Sequence, residues 1–280
     1  MLAIVVALLV GGVVGSALGV PLHSWGWGIF AGAIGFMGSS YYMARIMMKK
    51  LTHISNRVQE LVKAGQDEAM RLANRFQAKP FGSPKLVQDQ VEKVIEKAVM
   101  EAIASLEDAK PLYRWNLLAE RQVATMKFQL YFQIKHYDEA DKYLDKALIN
   151  MDAILICMKM ARQYAKDDPT LDKTYRKGVK KFKYDKGVLL HALYSWILVK
   201  RKDIDGAVKV LVEAKEKAES EVLTRNWQNL ANGKPQLFSN RELGDQWYSL
   251  GLEQPQAQRP SKSMVRQNPM FGGRGKRRFG

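Results

Sequence analysis

The chain has 280 residues, 47% apolar and 26% charged, enough to bury a core and too apolar for wholesale disorder. One cysteine, Cys157, excludes a disulfide framework or a cysteine-built metal site from this chain alone. The net charge of +16 is concentrated: residues 173–186 carry a local +6, residues 255–280 a local +7, and residues 1–44 hold no charged side chain at all.

Met1–Val20 is an uncharged run rich in Leu, Val, Ile and Ala, broken by Pro21-Leu22-His23, and Ser24–Ala44 is a second uncharged stretch. About 20 helical residues span the ~30 Å of bilayer hydrocarbon. The pattern predicts a transmembrane helical hairpin over 1–44. Arg45, Lys49 and Lys50 directly follow it, which under the positive-inside rule places both termini of this two-pass protein in the cytoplasm; a bacterial inner membrane is the expected location. Gly11, Gly15 and Gly19 on the first run and Gly28, Gly32 and Gly35 on the second let two backbones approach closely, an arrangement equally suited to self-association. Ala17-Leu18-Gly19 has the small residues of a signal-peptide cleavage site, but no basic segment precedes the apolar run.

Residues 45–110 read as juxtamembrane helices. Val58, Val62, Gly65, Ala69, Leu72 and Phe76 form one stripe, Lys79–Pro84 breaks the helix, and Val87, Val91, Val94, Ile95, Ala98, Ala102 and Leu106 form a second stripe. From Pro111 to about residue 231 the periodicity stays helical, so the chain is all-α by this reading.

Residues 128–148 carry Tyr131, Ala140 and Ala147, with Tyr137 at the turn. Ala207 and Ala214 repeat the alanine pair 67 residues later, which leaves room for a unit between them containing Ala161, Tyr164, Leu171, Tyr175, Gly178 and Phe182. The middle unit fits if the turn at 167–170 gains one residue. This pattern resembles the tetratricopeptide repeat, a helix–turn–helix unit of 34 residues, over roughly 121–221. It departs from the family in having Ala124 where a tryptophan is usual and no closing proline. The resemblance implies an α-solenoid over 111–254, capped at its C-terminal end, with a concave peptide-binding face. Carried onto this sequence, its groove positions are Gln122, Thr125, Gln129, Phe132 and Gln133, then Arg162 and Lys166, then Trp196 and Lys200.

Ser239-Asn-Arg-Glu242 has the spacing of a capping box opening a last helix, with Trp247, Tyr248 and Leu250 to cover the end of the array. Beyond Pro255 the composition becomes that of a disordered basic tail. Lys173, Arg176, Lys177, Lys180, Lys181 and Lys183, and in the tail Arg274, Lys276, Arg277 and Arg278, suit nucleic-acid phosphates or anionic lipid. His23, His53, His136 and His191 form no metal or catalytic motif, and no phosphate loop is present, so neither cofactor nor enzymatic activity is expected. The resulting expectation is a membrane-anchored scaffold that docks a protein partner; the alternative is a tether for RNA, ribosomes or DNA.

Overall fold

The computed structural model describes residues 2–19, 25–78 and 83–254. They form twelve α-helices joined by turns and short 3-10 segments, with no strand among them. α1 (Leu2–Gly19) lies antiparallel to the first part of α2 (Trp25–Ala78), a single helix of 54 residues and about 81 Å. The two backbones touch where the glycines meet: a Cβ on Gly11 would lie 2.8 Å from the Gly32 carbonyl oxygen, and one on Gly32 equally close to that of Gly11.

The expectation of a transmembrane hairpin is overturned. Among the described residues no helix is long and apolar enough to cross a membrane. α1 is apolar over its 18 described residues, about 27 Å of helix beside the ~30 Å hydrocarbon core. In α2, five glycines between 26 and 38, followed by Ser39, Ser40, Tyr41 and Tyr42, dilute the apolar run before Arg45 ends it. The two-pass topology, the inner-membrane location and the cytoplasmic assignment of the termini fall with it. α2 also runs unbroken through position 44, where the sequence suggested a boundary.

α3 (Pro84–Ser105) starts at Ser83, whose hydroxyl accepts from the Leu86 N–H, and returns along α2. Ala98 sits directly against Gly65, so a side chain at 65 has no room. A 3-10 turn (Leu106–Ala109) and the short α4 (Lys110–Tyr113) lead into α5 (Leu117–Gln133). One core joins these elements: Leu51 and Val58 of α2, Val99 and Ile103 of α3, Leu106, and Val123 and Leu130 of α5.

Three helix pairs follow one another: α5 with α6 (Tyr137–Leu144), α7 (Ala153–Ala165) with α8 (Leu171–Lys181), and α9 (Val188–Lys200) with α10 (Ile204–Lys217). α11 (Glu221–Ala231) and α12 (Asp245–Tyr248) close the array. Ala140, Ala147, Ala207 and Ala214 are all buried in a second core with Phe128, Ile156, Leu193, Leu211 and Trp247.

The helices α5, α7, α9 and α11 end in the same way. A residue with positive φ (Lys135, 61°; Asp167, 51°; Lys202, 64°; Gly233, 67°) donates its N–H to the carbonyl three residues back, and the next residue donates to the carbonyl five back. This is the Schellman arrangement, which satisfies carbonyls left open at a helix end. It recurs after 32, 35 and 31 residues. The central connection, Lys166–Thr170, is two residues longer than Ile134–His136 or Arg201–Asp203, where the sequence suggested one. Asp168 accounts for the extra length: its carboxylate accepts from the Thr170 N–H at 2.8 Å and from the Gln163 side chain at 3.1 Å.

The capping box expected at Ser239 does not form. Asn240 is buried, donating to the Ala192 carbonyl and accepting from Asn226, while Glu242 turns outward to Arg225. Residues 239–243 are consequently pinned as a bend and a 3-10 turn instead of opening a helix.

Two stability measurements test this account. Lysine in the left-handed region carries a steric cost that glycine does not, so Lys202→Gly should raise unfolding free energy by up to about 1 kcal/mol in urea denaturation. His191 is buried and shares a 2.9 Å hydrogen bond with the Tyr175 hydroxyl. Burial first, then Lys217, lowers its pKa to about 4. The neutral ring is therefore favoured in the folded state. Its contribution is complete above the unfolded value near 6.5 and is lost as pH falls from there through about 4, amounting to at most about 3 kcal/mol. His191→Gln should flatten stability against pH in that window.

Candidate functional site

α5 presents one face to the cores and another to α2 across a cleft. Asn116 caps α5, its side chain accepting from the Leu118 N–H at 2.8 Å, which satisfies a donor left open at the helix start. Across the gap, Ser55, Val58, Gln59 and Val62 share one face of α2 by their three- and four-residue spacing. Between the helices lie two adjoining cavities of about 540 and 350 Å³, which share Ser55, Met126 and Gln129. The larger is closed at its far end by Tyr248, Ser249 and Gly251, whose turn abuts the Tyr137 hydroxyl. No carboxylate lines either cavity; Lys63 and Lys135 stand at the edge of the larger one.

Five of the nine predicted groove residues meet here. Gln129 lines both cavities, Phe132 and Gln133 the larger, and Gln122 and Thr125 the smaller. Phe132 is itself buried, edge-on to Tyr137 with ring centres 5.3 Å apart, so it contributes floor and not an open platform. The Thr125 hydroxyl is already engaged, donating to the Arg121 carbonyl and accepting from the Leu148 N–H at 2.7 Å. Gln122 differs: its side-chain oxygen is buried and has no hydrogen-bond partner.

The other four residues lie elsewhere. Arg162 forms a two-point contact with Asp141, at 3.0 Å from Nε and 2.7 Å from a terminal nitrogen, and its guanidinium lies over the Tyr137 ring. Lys166 reaches the same carboxylate at 2.8 Å. Burial pushes the Asp141 carboxyl up, but the hydrogen bonds from Arg162 and Lys166 outweigh this and hold it below the usual range. Trp196 is buried; its indole N–H and that of Trp247 each donate to a Glu253 oxygen at 2.9 Å, and Lys200 lies over its ring.

The sequence did not reveal that α2 supplies the opposite wall, although Val58 and Val62 were visible as part of an apolar stripe. It named Tyr248 and Leu250 as cover for the end of the array but did not reveal that the turn at 248–251, where Gly251 has φ 69°, closes the cleft.

The cations of α8, with Lys183 just after it, form a separate surface. Lys173, Arg176, Lys177, Lys180, Lys181 and Lys183 are exposed, and none makes an ion pair among the described residues. Arg274, Lys276, Arg277 and Arg278 lie outside the described residues. Cys157 is fully buried, and burial pushes its thiol up, away from the reactive thiolate. Comparison with family models, curated proteins and solved structures finds no match to this chain.

The Asp141 cluster should divide unequally. Both Arg162 and Asp141 are about nine-tenths buried at the side chain, whereas Lys166 is 57% exposed. Arg162→Met should cost about 2 kcal/mol in urea denaturation, and Lys166→Met less than about 1 kcal/mol.

Proposed function

We propose that the protein is a helical scaffold that docks a segment of a protein partner in the cleft between α2 and α5. The observation that carries this reading is Gln122. A buried acceptor left without a donor costs about 1–3 kcal/mol, and this one lines the cleft. With the Gln122 side chain turned into the cavity, a main-chain N–H of an inserted segment would satisfy it. The linings of Val58, Val62, Met126, Leu130 and Met151 favour apolar side chains, and methionines adapt to varied shapes. Gln59, Gln129 and Gln133 offer amides to an extended backbone. The absence of lining carboxylates, with Lys63 at one end, favours an occupant bearing a carboxylate there.

The tetratricopeptide resemblance supports the same reading. Three successive helix pairs with recurring left-handed caps are the kind of array that presents such a face. The proposed site nevertheless uses only the first pair, with α2 in place of a concave surface spanning all three.

Selection of displayed random peptides against the full-length chain tests the reading. Apolar peptides bearing an acidic residue should be enriched and bind at micromolar Kd. Met126→Glu should weaken them tenfold or more, Gln122→Leu by several-fold, and Lys200→Ala not at all. Peptides that bind Met126→Glu as well as the parent protein would overturn the proposal, as would failure to enrich any.

A further inference from the structure

A separate cavity of about 450 Å³ lies beside the N-terminal half of α8, walled by the end of α6, the segment 147–151 and α7. Four cations line it from three helices: Arg121 of α5, Lys159 of α7, and Lys173 and Lys177 of α8. Asp145 is the one carboxylate in the lining, and none of the four cations makes an ion pair among the described residues. Arg121 and Lys159 stand apart from the 173–186 run in sequence and join it only through the fold.

The charge continues out of the cavity. Lys173, Lys177, Lys180 and Lys181 follow three- and four-residue spacing, so they share one face of α8. From Lys173 to Lys181 the helix rises about 12 Å, the length of roughly three to four stacked nucleotides on one strand. Just beyond, Tyr184 is 70% exposed and has φ 56°. This backbone region is costly for a residue other than glycine, and burial does not account for an aromatic ring there. Lys183 and Lys186 flank it, along with Asp185.

We propose that this cavity, the lysine face of α8 and Tyr184 together bind single-stranded nucleic acid, with the cations on successive phosphates and the Tyr184 ring stacked on a base. A track of cations ending at an exposed aromatic is how strands are held without sequence readout. An acidic peptide would use the cations but has no need of the ring. The cavity is of small-ligand size, which suits a nucleotide or two of a strand and not a duplex. The cations and the ring are distinct from the α2–α5 cleft, since none of Arg121, Lys159, Lys173, Lys177 or Tyr184 lines that cleft, although Leu148 and Met151 line both the smaller cavity of the cleft and this one.

The test is fluorescence anisotropy of the full-length chain with a dye-labelled oligouridylate of about 15 nucleotides, titrated between roughly 50 and 200 mM salt. Arg121→Ala with Lys159→Ala, and separately Lys173→Ala with Lys177→Ala, should each weaken binding about tenfold. Each pair should also flatten the dependence of log K on log salt by about 1.4, at ~0.7 for each phosphate no longer neutralised. Tyr184→Ala should weaken binding by about tenfold and Tyr184→Trp should retain it. Arg121, Lys173, Lys177 and Tyr184 are exposed and Lys159 is half-buried, so unchanged thermal melting confirms that the variants fold. Several results would overturn the proposal. They are no binding at low salt, wild-type affinity in both cation pairs (which would place any binding in residues 255–280), and indifference to Tyr184→Ala with equal affinity for polyglutamate or inorganic polyphosphate. Binding confined to anionic lipid vesicles would also refute it.

Discussion

The contact between Gly65 and Ala98 sets the spacing on which the rest of the structure depends. With no side chain at 65, α3 lies close along α2, and the two behave as one thick wall. Leu106 and the 3-10 turn after α3 then wedge between that wall and α5, filling their shared core with Val99, Ile103, Val123 and Leu130. α2 is therefore held beside α5 without packing closely along it, and the gap becomes a cleft instead of a helix–helix seam. A larger residue at 65 would displace α3, and with it the wedge that fixes the width of the cleft.

The array beyond α5 is governed by a different constraint, the way each long helix stops. Four helix ends reuse the same pair of hydrogen bonds and the same left-handed residue, at intervals close to the length of one helix pair. Because the turn geometry recurs, the following helix leaves at a similar angle each time, and small residues such as Ala140, Ala207 and Ala214 can sit at each crossing. Where the connection lengthens, at 166–170, Asp168 and Gln163 tie the added residues down, so α8 still packs on α7. At the far end Glu253 accepts from two indoles, fixing the closing turn against α9 and α12.

The helices after Pro111 were legible in the sequence because apolar periodicity and paired alanines report burial directly. Their caps were not. Three of the four left-handed positions hold Lys or Asp where glycine would have announced the turn, so only Gly233 was visible. Arg162 illustrates a second limit: its position on a helix was legible, but its partner Asp141 lies 21 residues away, and only the folded crossing reveals that its charge is spent. Ser239–Glu242 shows a third. A local capping pattern lost to a tertiary one, since burying Asn240 against Ala192 and Asn226 satisfies more polar groups than a helix start would. The apolar runs at the N-terminus were legible as helices packed through glycine, but length and dilution of the apolar character, not absence of charge, decide whether a helix crosses a bilayer.

The two surfaces meet in one short segment. Leu148 and Met151 line both the smaller cavity beside α5 and the basic cavity beside α8. The Leu148 N–H is held by Thr125, which lines the smaller cavity, and Arg121, one turn earlier on the same face of α5, lines the basic one. Segment 147–151 is thus a shared wall one or two residues thick. A ligand that leaves this wall in place leaves the neighbouring site unaffected, however tightly it binds. A ligand that shifts Met151, which is 69% exposed and only lightly packed, alters both cavities at once. Any coupling would then be reciprocal, each ligand changing the affinity of the other by the same factor, and the Thr125–Leu148 hydrogen bond is the interaction that resists it.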